Sequence, residues 1–278
     1  MSVASLPWYD FAELRPHTDA WWDGIARHLR AVGVEDVPER LDRGDYVAHW
    51  RRPDLLLSQS CGYDLLYEHA ERLVPVATPC YAAAGCEGPR YRSAVLVRVD
   101  SPIERFEDLR GERVAVNQAS SHSGTNAMRP LAAELQRDGA FFGEVCETGA
   151  HVESLTALRD QRVDAACVDV VVLELLEKER PAAVSGLRSV AATESAPAPP
   201  YVTARATPAA RLQLLRSALL AAAADPELAA ARGALGIQGF EVLPASCYDE
   251  LRKFEQLALV IGYRELPAPE ASPLRDVR

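Results

Sequence analysis

The chain has 278 residues, 48% hydrophobic, 25% charged and 7% aromatic, a balance that excludes collagen-like and intrinsically disordered classes and suits one large or two ordinary domains. Forty acidic against thirty basic residues leave a formal charge of -10, the wrong sign for a general nucleic-acid or anionic-membrane binder. Any anion held by this chain must be held by local groups.

In chain order, Val3–Tyr9 reads as a short strand, followed by an amphipathic helix in which Trp21, Trp22, Ile25, Ala26 and Leu29 recur at helical spacing. Leu55, Leu56 and Leu57 form an apolar strand that ends in a small-residue turn, with a helix over Asp64–Arg72. Leu73–Thr78 and Ser93–Val99 are β-rich, the second continuous enough to be a buried strand. A helical turn over Phe106–Arg110 closes at Gly111, strand Val114–Asn117 follows, and the polar loop Gln118–Gly124 leads into a helix over Thr125–Arg137. Val145–Glu147 is a strand and Val152–Arg159 a helix, and Ala165–Val168 is a strand ending at Asp169, ahead of helix Val171–Lys178. Strands alternating with helices at this spacing predict βαβ units and a largely parallel sheet. Thr193–Pro200 reads as an extended connection, and helical stretches follow at Pro208–Ala224, Pro226–Gly233 and Cys247–Tyr263. The proline-rich, charged tail Pro267–Arg278 is expected to fray.

The longest apolar run, Leu214–Ala224, falls far short of the roughly 20 residues a membrane span needs. The first ten residues lack the basic start and apolar core of a signal peptide, so as written the chain is expected in the cytoplasm, or in the periplasm if it is a mature form. The six cysteines (61, 80, 86, 146, 167, 247) show no zinc spacing, and no metal or cofactor is expected. Cys61 and Cys86, each beside a glycine, could meet as a thiol pair or a disulfide, or stay apart; spacing does not decide.

The strongest local feature is Ser120–Asn126, with Ser121, His122, Ser123, Gly124 and Thr125 set between a strand and a helix. Amides at a helix start, added hydroxyls and a glycine that admits an oxyanion to the backbone describe an anion site; a well-capped helix with a solvated loop is the plainer alternative. The P-loop lysine is missing, which disfavours nucleoside triphosphates, and neither a Gly-x-Ser-x-Gly elbow nor a His-Glu-x-x-His motif is present. His151 and Asp169 both fall at C-terminal strand ends, where open α/β sheets bind ligands, although an exposed helix-start histidine and a helix N-cap would explain them equally. Tyr9, Tyr63 and Tyr91 lie at turns near other strand ends and could wall a ligand or simply pack; Arg90 and Arg92 flank Tyr91, with solvent the plainer fate for at least one.

Three stretches, DLLLSQSCGYDL (54–65), 77–129 and ETGAHVESLTALRDQRVDAACVD (147–169), resemble the phosphate/phosphite/phosphonate group of ABC-transporter substrate-binding proteins. The resemblance implies a type II periplasmic-binding-protein fold, two α/β lobes with two hinge crossovers and a ligand cleft between them: lobe one 1–98 and 202–278, lobe two 99–201. It implies that Ser121 and Ser123 hold phosphonate or phosphate oxygens with the Gly124 and Thr125 amides, that His151 and Asp169 complete the polar side, and that Tyr91 and, more loosely, Tyr9 close over the ligand. His122 departs from the group, where a small polar residue is usual. The implied partners are a small anionic ligand and an ABC-transporter permease, with no nucleic acid and no membrane insertion. The function expected is binding without chemistry. The alternatives are a cytosolic lyase or dehydratase of the same fold, with His151 or Asp169 as general base, and a regulatory sensor.

Overall fold

Trp21, Trp22, Ile25, Ala26 and Leu29 are all buried on one face of α1 (Arg15–Ala31), as their spacing requires. Pro16 sits in the first turn, where its missing N–H costs nothing. The computed structural model describes residues 2–67 and 69–266; the tail Pro267–Arg278 lies outside them. The described strands are β1 (Val3–Ala4), β2 (Leu55–Gln59), β3 (Leu73–Tyr81), β4 (Arg90–Tyr91), β5 (Ser93–Arg98), β6 (Arg113–Val116), β7 (Glu144–Glu147), β8 (Ala165–Asp169), β9 (Leu187–Ala192), β10 (Ala196–Pro197), β11 (Tyr201–Ala204) and β12 (Ile237–Glu241). The helices after α1 are α2 (Tyr46–Trp50), α3 (Gly62–Leu66), α4 (Arg129–Leu135), α5 (His151–Arg159), α6 (Val170–Glu179), α7 (Pro181–Val184), α8 (Ala209–Ala224), α9 (Ala229–Ala234) and α10 (Glu250–Val260).

Two compact units emerge: residues up to Arg90 with Pro197–Cys247, and Tyr91–Ala196 with the chain from Tyr248 on. From sequence the crossovers were expected at 98/99 and 201/202. The chain changes unit at 90/91 and 196/197, and a third passage at 247/248 brings α10 to the second unit. The reason for the last is apolar: Ala258, Tyr263 and Leu266 join Met128, Ala132, Ala133 and Phe141 in the second unit's core.

In the first unit the sheet order is β1–β2–β11–β3–β12, with α1 packed on α8 and α9, and α8 on β3 and β12. Only β1 and β2 pair in parallel; β11 runs antiparallel to β2 and β3, and β12 antiparallel to β3. In the second unit the order is β7–β6–β8–β5–β9. There β6 is parallel to both β7 and β8, whereas β5 runs antiparallel to β8 and β9. The expected largely parallel sheet is thus two mixed sheets. β5 and β11 run against their neighbours, and two of the antiparallel strands, β9 and β12, were not read from sequence at all. Leu187–Ala192 has no fully buried residue and Ile237–Glu241 carries a central glycine, so neither shows a strong strand pattern.

The end of the described chain is fastened rather than loose. Glu265 accepts the Phe141 and Phe142 amides at 2.8 and 3.0 Å and the Tyr263 hydroxyl at 3.0 Å, and buried Arg129 donates to the Leu266 carbonyl at 2.6 Å. Glu265→Ala leaves two amides without their acceptor and should cost roughly 1–3 kcal/mol. Thermal melts should show the drop, and an unchanged Tm would mean the carboxylate does not hold this segment.

Candidate functional site

After β6 the chain turns through residues 117–125, and local bonds fix the turn. Thr125 Oγ1 donates to the Gln118 carbonyl at 2.6 Å, the Asn126 amide to Ser121 O at 3.0 Å and the Ala127 amide to His122 O at 2.8 Å. The Gly124 amide donates to Ser121 Oγ at 3.1 Å, which leaves that hydroxyl its own proton to give elsewhere. Gly124 is needed for space: a Cβ there would lie 1.8 Å from Asn117 Oδ1. The helix expected over Thr125–Arg137 is shorter, a 3-10 turn at Asn126–Met128 and then the seven residues of α4. The 124, 126 and 127 amides are thus engaged within the turn, whereas the Ser123 and Thr125 amides meet no acceptor among the described residues.

The Gly149 amide donates to the Asn117 carbonyl at 2.7 Å, which ties the loop after β7 to the loop after β6 and sets the start of α5 beside the serines. His151 Nε2 then lies 2.9 Å from Ser123 Oγ, and Ser121 Oγ is 3.5 Å from Ser123 Oγ. From β8 the Cys167 thiol donates to the Ser123 carbonyl at 3.2 Å. Asp169, two residues on and so on the same face of the strand, is buried and caps α6 by accepting the Val171 amide at 2.7 Å. Ser121, Ser123 and His151 therefore cluster, with Asp169 at the end of the same strand. The capping role foreseen for Asp169 and its place at the sheet edge are both present.

Burial lowers the His151 pKa to about 4, partly offset by the neighbouring main chain of Cys167. Burial also pushes the Cys167 thiol up to about 12, so it stays protonated. Sealed among aromatic rings, His122 is held at about 3 by desolvation. Its ring lies edge-on to Phe254 at 5.0 Å and 6.1 Å from the buried ring of Tyr91. Asn126 Nδ2 reaches the Leu251 carbonyl at 2.8 Å and His122 Nδ1 at 3.1 Å. Because the Leu251 carbonyl can only accept, the amide must donate, and His122 Nδ1 accepts. Asn126, Leu251 and Phe254 were not singled out from sequence; they brace the loop from α10, across some 125 residues of chain that carry no local signal.

The other tyrosines belong to the first unit. Tyr9, at φ 62°, packs edge-on to Tyr81 at 5.3 Å. It lines a cavity of about 10 Å³ with Trp8, Trp21, Gln59, Tyr81 and Tyr201, room for about one water. Gln59 Nε2 donates to the Pro199 carbonyl and Tyr81 Oη, each at 3.0 Å, and Trp21 Nε1 to Tyr201 Oη at 3.1 Å. Tyr63 is sealed in the interior against Tyr67, ring centroids 4.5 Å apart. Arg90 and Arg92 are both half-buried. All six cysteines are thiols, Cys61 and Cys86 included. No His/Cys/Asp/Glu group among the described residues could hold a metal, and no described helix is long and apolar enough to cross a membrane.

Gly124→Ala should distort the turn and lower the melting temperature, and an unchanged Tm would show that Asn117 simply moves aside. As pH falls from the ordinary histidine value of 6.5 toward 4, the unfolded chain gains protons that folded His122 and His151 refuse. Unfolding free energy should therefore fall with acidification, by up to about 1.4 kcal/mol per unit for each ring. Denaturant melts over that window give the slope, and a flat profile would contradict two neutral imidazoles.

No curated protein matches the chain in sequence. Among solved structures it is similar to a binding-protein component of an ABC phosphonate transporter, PA3383 from Pseudomonas aeruginosa, at TM-score 0.74 and 15% identity, over 94% of this chain and 87% of that one. It is similar to PhnD1 from Prochlorococcus marinus, solved with methylphosphonate, at 0.70 and 15%, over 92% and 97%. It is likewise similar to XAC2383 from Xanthomonas citri, solved with chloride ion, at 0.69 and 20%, over 94% and 98%. These likenesses establish the periplasmic-binding-protein fold. The family described as "ABC transporter, phosphonate, periplasmic substrate-binding protein" matches residues 52–248, most of the chain, and to that family this protein belongs.

Proposed function

We propose that the protein binds a small phosphorus oxyanion, a phosphonate, phosphite or phosphate, at the second unit's sheet edge, and hands it unchanged to an ABC permease. The periplasm is the compartment where such a protein would act. In this reading the Ser121 hydroxyl and the Ser123 and Thr125 amides donate to ligand oxygens. Gly124 lets an oxygen approach the turn, Ser123 Oγ and His151 complete the polar wall with Asp169, and Tyr91 borders it. His122 serves from behind, through its bonds to the loop, rather than by touching the ligand. For Tyr9 the role is a rim residue of the first unit, and for Tyr63 packing.

The observation that carries the reading is the 2.9 Å contact between Ser123 Oγ and His151 Nε2, with Ser121 Oγ 3.5 Å further on. Polar groups from two separate loops converge there at C-terminal strand ends, where open α/β sheets take ligands. A binding role needs no base, and the neutral, hydrogen-bonded His151 suits recognition.

Calorimetric titration with methylphosphonate, phosphite and phosphate should give saturable binding and return the ligand unaltered. Ser121→Ala and Ser123→Ala should each weaken it by roughly 1.5–3 kcal/mol. Undiminished affinity in the double variant would overturn the site, and turnover of a bound acid would favour the lyase.

A further inference from the structure

We infer that the first unit carries a second ligand site, for a free aliphatic α-amino acid, in a cavity of about 230 Å³ lined by residues 5–46. All of its lining belongs to the first unit, and none of it to the proposed phosphorus-oxyanion site, so the inference goes beyond that reading and does not depend on it. A cavity needs only about 10–15 Å³ to admit one water, so this one has room for an organic molecule.

The cavity forms where the chain returns to β1. The Val3 and Ser5 amides donate toward β2, to the Asp54 and Leu57 carbonyls at 3.2 and 3.0 Å. The Ala4 carbonyl between them accepts the Asp42 amide at 2.8 Å, which lays the segment around Asp42 against the strand. Buried Leu6 and Leu41, with half-buried Pro7, give the cavity its apolar surface. Tyr46 adds a wall whose ring is held in place, 5.6 Å from the Trp8 ring and 4.9 Å from that of Trp50.

Four charged side chains line this space, and two of them satisfy each other. Arg43 donates to Asp10 through Nε at 2.7 Å and Nη2 at 3.3 Å, and Nη2 also reaches Asp19 at 2.8 Å. Exposed Arg15 is left over. Its Nε is 3.7 Å from Asp10, too far for a hydrogen bond, and its guanidinium donates to nothing among the described residues. The start of α1 offers no amide instead: those of Arg15, His17 and Thr18 donate to the Phe11 and Leu14 carbonyls, and Pro16 has none. An anionic group here therefore meets the guanidinium, whose fork fits a carboxylate.

Asp42 is the fourth. Its Oδ1 accepts the Gly44 amide at 2.8 Å and lies 3.4 Å from His49 Nε2, while Oδ2 accepts nothing among the described residues. One cavity thus presents an unused guanidinium, an unused carboxylate oxygen and an apolar surface. A free amino acid matches all three: its carboxylate on Arg15, its ammonium on Asp42, and an aliphatic side chain against Leu6, Leu41 and Tyr46. A plain anion would face Asp10 and Asp42 with one partner, and a plain cation would face both arginines, so either half of the ligand alone is disfavoured.

The test is calorimetric titration of the full chain with leucine near neutral pH, with leucinamide and 4-methylpentanoate as ligands that lack the carboxylate and the ammonium respectively. Leucine should bind saturably, and each of the other two about tenfold more weakly or worse. Arg15→Ala removes an exposed side chain, and Asp42→Asn keeps an oxygen for the Gly44 amide, so both variants should fold. Each should weaken leucine about tenfold and leave methylphosphonate affinity unchanged. No saturable heat up to millimolar leucine, or undiminished leucine affinity in the double variant, would overturn the inference. Either result leaves the phosphorus-oxyanion reading standing, because that reading fails only if methylphosphonate, phosphite and phosphate do not bind.

Discussion

The parallel pairing of β6 with β7 on one side and β8 on the other is the constraint on which the second unit's chemistry depends. Parallel neighbours end at the same edge, so the chain leaving β6 at Asn117, the chain leaving β7 at Thr148 and the last residue of β8, Asp169, are delivered together. The Gly149-to-Asn117 bond at 2.7 Å locks the first two, and the Cys167-to-Ser123 contact at 3.2 Å locks the third. Each loop could vary in sequence without losing its address. What Ser121, Ser123 and His151 add is chemistry at a position the sheet has already fixed.

Apart from Asp169, the groups gathered at this edge are dipoles rather than charges. Two imidazoles held at about 3 and about 4 are uncharged at neutrality, and the protein as a whole is acidic. Neutral groups that are already hydrogen-bonded to one another lose little freedom when a ligand arrives, so the order paid for in folding is not paid again on binding. Groups of this kind can discriminate by direction: an N–H cannot accept and an ionised carboxylate cannot donate. A cation would attract any anion of the right size, whereas a fixed set of donors and acceptors asks for a matching set on the ligand.

Much of this was legible in the sequence. The α1 stripe, the buried strand at Ser93, the strand–loop–helix unit around Ser121 and the strand-end places of His151 and Asp169 follow from short-range periodicity and capping chemistry, which are local properties. The resemblance of the motif order to a transport family gave the fold. What stayed hidden was long-range. β9 and β12 form by pairing with β5 and β3, and their own residues show too little alternation to announce it. The helix after the loop was overestimated because Met128, Leu131, Ala132 and Leu135 keep helical spacing through a 3-10 turn and up to the end of α4 at Leu135. The Gly124 amide, expected to face a ligand, is spent on Ser121 Oγ, a bond that depends on how the turn closes.

The assignment of α10 to the second unit accounts for His122, where the resemblance leads one to expect a small polar residue. A histidine in place of a small polar residue at 122 would leave an imidazole to be solvated or stranded. Here the C-terminal helix supplies Phe254 to pack against the ring at 5.0 Å, and its Leu251 carbonyl orients Asn126, whose amide satisfies His122 Nδ1. The ring therefore points into the unit and acts as a peg that fixes the loop carrying Ser121 and Ser123. Glu265 and Arg129 then fasten the segment beyond α10 to the start of α4 and to the Phe141–Phe142 turn. A residue that looks from sequence like an extra ligand contact is, by its partners, the join between the loop and the end of the chain. The geometry of the serines thus depends on residues more than a hundred positions downstream, which is why no local motif could have revealed it.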